Sequence, residues 1–239
     1  MKKPFLRAEW NNLIMANYII DPLKLLPYLP PKTELDYFNG HCYVSLIGFM
    51  FEQTEILGLK IPLHINFEEV NLRFYVRHND NGVWKRGAVF IKEIVPKHAI
   101  TIIANTLYRE KYVTLPMKHY LRAKGEQIDL GYLWKYKGVW NSLEAIIKNT
   151  GNPMAEGSKE QFIAEHYWGY SKYNSSTLFE YGVQHPSWEI YPVISYKISC
   201  DFKELYGNDF SFLNAAEPDT VFVAKGSPIS IMPKKNIYL

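Results

Sequence analysis

"FEEVNLRFYVR", Phe67 to Arg77, is the stretch whose reading decides the fold. In an extended strand successive side chains point to opposite faces, so Val70, Leu72, Phe74 and Val76 lie on one side. Glu69, Asn71, Arg73, Tyr75 and Arg77 lie on the other. The polar side has two physical interpretations. It is a solvent-facing stripe held by cross-strand charge pairs, or it lines an enclosed interior, where charged groups need partners and mark a site. Positions two apart on a strand are separated by about 6.6 Å, so Glu69 and Arg73 are too distant to pair along it. Their partners lie across strands or in a ligand. The neighbouring strands are too apolar to have one wholly wet face, which favours the interior.

The segment before it, "HCYVSLIGFMFEQT" from His41 to Thr54, is almost entirely apolar, as expected of a strand covered on both faces. After it, "NDNG" (Asn79 to Gly82) supplies turn chemistry, and "VWKRGAVFIKEIV" (Val83 to Val95) completes an antiparallel hairpin. "EWNNLIMANYII" is a further strand, and "DPLKLLPYLPP" is a short helix with Asp21 as cap and Pro22 in its first turn. The spacing predicts a longer helix in "PKHAITIIANTLYREKY", with Ile100, Ile103, Ala104 and Leu107 on one side. Strands follow in "GEQIDLGYLWKYKG" and "VWNSLEAIIKN", then a turn-rich loop, "NTGNPMAEGS". Ser158 caps the next helix, with Gln161 as its capping-box partner. Further strands are expected in "TLFEYGVQH" and "SWEIYPVISYKIS", a short helix in "DFKELYG", and two last strands in "DTVFVAKGS" and "PISIMP". Many strands, few helices and no β-α alternation argue for one antiparallel α+β domain, mainly β, over residues 1–239. Its expected form is a closed or nearly closed barrel with a few flanking helices.

Composition excludes several classes of function. With 47% hydrophobic and 21% charged residues the 239-residue chain can bury a sizeable core. An aromatic share of 15%, with 18 tyrosines, suits pleated surfaces. The net charge of +3 comes from scattered basic residues, so no nucleic-acid footprint is expected. Cys42 and Cys200 belong to no C-x-x-C pair and read as reduced. There is no secretory signal behind the first lysines, and no apolar run approaches the roughly 20 residues of a membrane span. A soluble, cytoplasmic protein is expected, with no membrane partner and with homo-oligomerisation left open.

Two clusters could carry chemistry. "KEIVPKH" sets Glu93, Lys97 and His98 at a strand-to-helix junction. A lysine near a helix N-terminus has its charged form disfavoured and, if desolvated, could form a Schiff base with a carbonyl substrate. The plainer alternative is an exposed helix-start lysine. "EHYWGYSKY" and "EYGVQHPSW" bring His166 and His185 among aromatic residues, either as polar tips of a pocket or as structural histidines. The seven histidines show no H-x-x-x-H or H-E-x-x-H spacing, so no metal is expected. No phosphate loop, dinucleotide fingerprint or G-x-S-x-G elbow is present, so no cofactor is expected.

Taken as a set, "NYIIDPLKLLPYLPPKTELDYFNGHCYVSLIGFMF", "FEEVNLRFYV", "RGAVFIKEIVP", "EHYWGY", "EYGVQHPSWEIY" and "AKGSPISI" resemble a bacterial family, the YqjF-like domain of unknown function. That family is similar in fold to acetoacetate decarboxylase, which implies an acetoacetate decarboxylase-like β-barrel with a central cavity. The resemblance therefore favours the inward reading of Glu69, Asn71, Arg73 and Tyr75. The decarboxylase works through a Schiff-base lysine whose pKa an adjacent lysine lowers, helped by glutamates and an arginine. Its Pro-Lys-Lys segment is matched by Pro96, Lys97 and His98, with Glu93 as the preceding glutamate at a shorter spacing. The second lysine is thus a histidine, and a strand glutamate of the decarboxylase is replaced by Ser45; Glu55 and Arg7 lie near in sequence without a secure match. The function expected is binding of a small anionic or carbonyl-bearing organic ligand by Glu69, Asn71, Arg73, Tyr75, His166 and His185. The alternatives are an enzyme acting on a keto acid through Lys97 and Glu93, or a structural protein whose barrel is filled by its own side chains.

Overall fold

The computed structural model describes residues 3–238. Its strands are β1 (Leu6–Ile20), β2 (Thr33–Leu35), β3 (Cys42–Ile56), β4 (Phe67–Asp80), β5 (Val83–Val95), β6 (Tyr112–Thr114), β7 (Met117–Lys124) and β8 (Gln127–Tyr136). They continue with β9 (Val139–Lys148), β10 (Asn152–Pro153), β11 (Trp168–Lys172), β12 (Thr177–Gln184), β13 (Glu189–Tyr191), β14 (Val193–Ser199), β15 (Thr220–Ile231) and β16 (Lys235–Tyr238). The α-helices are α1 (Pro22–Leu25), α2 (His98–Ile103), α3 (Lys159–Ala164) and α4 (Phe202–Tyr206).

The opening stretch forms most of β4, and both of its faces are covered. Val70, Leu72, Phe74 and Val76 pack with Leu130, Tyr132, Trp134, Leu143, Ala145 and Ile147 of a separate four-stranded sheet, ordered β14-β9-β8-β7. The opposite face, bearing Glu69, Asn71, Arg73 and Tyr75, turns toward a second apolar cluster built from β1, β3, β15 and α3. Glu69, Asn71 and Tyr75 are no more than 2% exposed, and Arg73 is half-buried. The solvent-stripe interpretation of this face is thereby overturned. Asn81 and Gly82 both take positive φ (54° and 90°) between the paired residues Asp80 and Val83, the two-residue hairpin geometry that twisted strands favour.

The larger sheet runs β10-β13-β15-β1-β3-β4-β5-β11-β12-β16, and β12 also bonds to β15 through Val183↔Ile231 and Gln184↔Ser230. The pairing path from β15 through β1, β3, β4, β5, β11 and β12 therefore returns to its start. The sheet is mixed rather than antiparallel, which corrects the sequence expectation. β5 pairs in parallel with β6 and, at Trp168↔Gly87 and Gly169↔Ala88, with β11. Glycine makes that junction sterically possible: a Cβ on Gly87 would lie 2.6 Å from the Trp168 carbonyl oxygen, and one on Gly169 would lie 2.1 Å from the Tyr181 ring.

Three other segments differ from their sequence reading. The helix expected after Pro96 ends at Ile103 and widens into a π-type turn over Ala104–Tyr108, leaving Leu107 exposed. The β-branched run Ile100 to Ile103 is a weak helix former, and the Asn105 side chain brackets the backbone of Tyr112, donating to its carbonyl (2.9 Å) and accepting from its N–H (2.8 Å). Glu189–Tyr191 and Val193–Ser199, read as one strand, join different sheets on either side of Pro192. The two last strands are one, β15, which keeps its pairing with β1 past Gly226. The expected caps are present: Asp21 accepts from the Leu23 N–H at 2.9 Å and Ser158 from the Gln161 N–H at 3.1 Å. No helix among the described residues is long and apolar enough to cross a membrane.

Candidate functional site

The inward face of β4 meets polar groups from neighbouring strands in two connected neighbourhoods. The first surrounds Arg73. Its Nε donates to the Tyr75 hydroxyl (3.4 Å) and its Nη2 to the carbonyl of Ile163 in α3 (3.3 Å). Tyr75 donates to Ser45 (2.8 Å), Ser45 to the Asn17 amide oxygen (2.6 Å), and Asn17 to Thr220 (3.1 Å). Every donor in this relay points the same way, from β4 across β3 and β1 to β15, and aligned hydrogen bonds of this kind polarise one another. Both contacts made by Arg73 are long. Among the described residues no carboxylate lies within ion-pair distance of it. A half-buried guanidinium held by neutral oxygens is left with an uncompensated charge.

Both predicted histidines lie near this cation, which opposes protonation of each. The His166 ring is buried between Tyr75 and Phe162, at centroid distances of 4.5 and 5.0 Å, and its Nε2 is 3.1 Å from Asp36. Burial pushes its pKa down to about 4. Burial also opposes ionisation of Asp36, but hydrogen bonds from His166 and Arg86 outweigh it and lower the Asp36 pKa. Two positively charged neighbours are not required for that. Arg86, 2.7 Å from Asp36, carries the cation, and His166 is a neutral donor through Nε2. Its Nδ1 is then a buried acceptor with no partner. His185 stacks on Trp188 at 4.1 Å, and burial lowers its pKa. It also borders an open groove of about 420 Å³ lined by Tyr167, Trp168 and Met232.

The second neighbourhood is acidic. Asn71 of β4 stands opposite Glu93 of β5, which stands beside Tyr112 of β6. Glu69 accepts from Asn71 and from the Tyr112 hydroxyl, both at 2.9 Å. Glu110 accepts from the Tyr181 hydroxyl of β12 at 2.7 Å. All three glutamates are buried. Burial raises the Glu69 pKa to about 7, although the two hydrogen bonds and the charge of Arg73 oppose the rise. Burial raises Glu110 to about 8 against its hydrogen bond from Tyr181. Glu93 is pushed well above the carboxylate range by burial and then by the charges of Glu110 and Glu69. A proton-holding carboxyl cluster near neutral pH is a means of acid-base chemistry. Among the described residues no grouping of His, Cys, Asp or Glu could hold a metal ion.

Of the predicted site residues, Glu69, Asn71, Arg73, Tyr75, His166 and His185 gather around the inward face of β4, and Glu93 joins them from β5. Lys97 sits at the N-terminal boundary of α2, half-buried, with no side-chain hydrogen bond among the described residues, and His98 is exposed. Glu110, Tyr112 and Tyr181 were missed as site residues. A usable signal existed for the first two, since "EKYVT" alternates and puts Glu110, Tyr112 and Thr114 on one parity.

Residues 7–228 match the family DUF2071, described as an uncharacterized conserved protein. The chain belongs to this family. A relative, the uncharacterized protein YqjF of Bacillus subtilis (strain 168), is 26% identical over 191 residues, 77% of this chain and 74% of the relative. The fold is shared with an acetoacetate decarboxylase from Legionella pneumophila, at TM-score 0.64 and 14% identity over 99% of this chain and 88% of that one. An acetoacetate decarboxylase-like enzyme from Sphingomonas wittichii RW1 superposes with TM-score 0.67 and 12% identity, over 99% and 94% of the two chains. The enduracididine biosynthesis enzyme MppR, complexed with pyruvate, gives 0.65 and 12% over 99% and 91%. Identities this low establish the fold alone.

Proposed function

We propose that this protein binds a small organic anion, with a carboxylate anchored by Arg73, inside a barrel formed by the ring of strands from β15 round to β12. The observation that carries this reading is the unpaired, half-buried Arg73 guanidinium, set on a strand whose neighbouring inward groups are fully buried. A buried cation without a counter-charge is costly, and a ligand carboxylate supplies one with bidentate geometry. Asn71 and Tyr75 flank it as polar contacts, the neutral His166 ring packed against Tyr75 closes one side, and Glu69 bounds the far side. The fold neighbour complexed with pyruvate supports a 2-oxo acid as the ligand class.

The test is isothermal titration of pyruvate and longer 2-oxo acids, with their neutral methyl esters as controls. The free acids bind and the esters do not. Arg73→Met weakens the acids by roughly ten- to a hundredfold, the equivalent of one charge-assisted hydrogen bond of about 1.5–3 kcal/mol. Equal binding of acid and ester defeats the assignment.

A catalytic version of the same site places Lys97 as a carbonyl-trapping amine, supported by its lack of a hydrogen-bond partner at the β5–α2 junction, four residues beyond Glu93. Borohydride reduction in the presence of a bound 2-oxo acid yields a mass adduct on Lys97 if this holds. Binding without an adduct leaves a binding protein rather than a Schiff-base enzyme.

A further inference from the structure

A cavity of about 70 Å³ opens beside the acidic neighbourhood, away from Arg73. Its walls are apolar, from Phe5, Phe51, Phe67, Ile100, Ile103 and Tyr108, and the carboxyls of Glu93 and Glu110 reach it. Space of that size holds a few water molecules or the body of a small organic molecule. Glu93 is 2% exposed, and its Oε2 has no hydrogen-bond partner. The oxygen of Asn71, on the adjoining strand directly opposite Glu93, is likewise buried and unpartnered. The Asn71 oxygen is an acceptor, and Glu93 Oε2 becomes one when that carboxyl gives up its proton. Tyr181 donates to Glu110 and the Asn71 amide nitrogen to Glu69; the Tyr112 hydroxyl, which donates to Glu69, and the Lys111 backbone N–H also favour an ionised Glu93, but neither reaches its Oε2. Buried polar atoms without partners are rare in folded proteins, and a bound water, ion or small molecule is a common reason for one.

We propose that this cavity is a binding site for a small aliphatic amine, its ammonium group donating to Glu93 and its hydrocarbon body lying among the aromatic and aliphatic walls. The class follows from the chemistry of the lining. Two carboxyls, Glu93 and Glu110, line the cavity with no cation in contact and favour a positive guest that takes the place of a bound proton, the Glu93 oxygen calls for a donor, and the apolar walls reject a strongly hydrated metal ion. An ammonium has three N–H donors and no acceptor, so it supplies a donor to the Glu93 oxygen and can reach Glu110, the two carboxyls that line the cavity. Lys111 is a cation whose charge acts on both Glu110 and Glu93, but its ammonium donates to neither carboxyl among the described residues. The site is separate from the Arg73 anchor and stands whether or not that anchor binds an anion.

Butylamine, 1-butanol and butyrate, titrated into the full chain and followed by ligand-observed NMR, test it. Butylamine binds, at least about tenfold more tightly than 1-butanol, and butyrate does not. Glu93→Gln, which keeps the size and removes the charge, erases the preference of amine over alcohol. Ala104→Leu, which fills the cavity from α2's end, weakens both. Thermal melts check that each variant is folded, and Glu93→Gln is expected to melt no lower than the parent at pH 8, because glutamine neither holds a proton against an alkaline solution nor buries a charge. Amine and alcohol binding equally, no amine binding below about 10 mM, or an unchanged preference in Glu93→Gln each overturns the proposal.

Discussion

Replacing Glu110 by glutamine should stabilise the protein, and more so as the solution becomes more alkaline. Glu110 has a folded pKa of about 8, against an ordinary 4.5, because its carboxyl is buried. The folded state thus holds a proton that the unfolded chain releases. The stability this represents is fully present below pH 4.5 and is lost as pH rises through about 8. At about 1.4 kcal/mol per pH unit, the interval from 4.5 to about 8 corresponds to a loss on the order of 5 kcal/mol for the isolated group. Glu69, Glu93 and Tyr181 act on the same carboxyl, Tyr112 acts on Glu69 and Glu93, and Lys111 and Arg73 are the cations acting on the cluster, so the losses do not simply add. The cleanest window lies between pH 6.5 and 8. Above 6.5 the contribution of the buried neutral His166 fades, because its unfolded form is already more than half unprotonated and loses the rest of its proton toward pH 8. In that window each carboxyl that keeps its proton contributes a slope of about −1.4 kcal/mol per pH unit to the unfolding free energy. Glutamine keeps an oxygen to accept from Tyr181 and has no charge to bury. Urea unfolding followed by tryptophan fluorescence at several pH values measures both slopes. The parent's stability falls across the window, Glu110→Gln falls less, and the curves diverge by about 1–3 kcal/mol near pH 8. A parent curve that is flat or rising from pH 6.5 to 8, or a variant with the same slope as the parent, would refute the account of the acidic cluster.

The acid side has its own signature. His166, with a pKa lowered to about 4, costs stability as pH falls from 6.5 toward 4, on the order of 3 kcal/mol. Its Cε1 proton should therefore titrate near 4 in NMR spectra, and a midpoint near 6.5 would contradict a buried neutral ring. Gly169→Ala drives a methyl group to 2.1 Å from the Tyr181 ring at the β11–β12 junction, so urea unfolding should register a loss of at least ~2 kcal/mol. A loss below about 0.5 kcal/mol would mean that the ring moves aside freely.

Period-two alternation was sufficient to find β4, and the apolar run before it correctly announced a strand covered twice. What covers each face was legible only through the family resemblance, because alternation reports two faces without naming their neighbours. The parallel pairing of β5 with β11 could not be read, since Gly87 and Gly169 lie 82 positions apart and nothing local to either specifies the other. The helix after Pro96 was overextended because its apolar spacing is helical, while the constraint that ends it, the Asn105 bracket on Tyr112, depends on where β6 pairs. Arg73 and Glu69 were identified together as site residues, and the structure assigns them to opposite neighbourhoods of one interior. Glu110 escaped notice because it follows Arg109, in a left-handed turn, two residues ahead of a strand of only three residues. So short an element carries almost no periodic signal.

The most direct measurement of the central claim is a crystal structure of the protein soaked with a 2-oxo acid. The account predicts the ligand carboxylate about 2.7–2.9 Å from the Arg73 guanidinium, with Tyr75 and Asn71 beside it. A carboxylate bound elsewhere while Arg73 keeps its contacts to Tyr75 and Ile163 would contradict it.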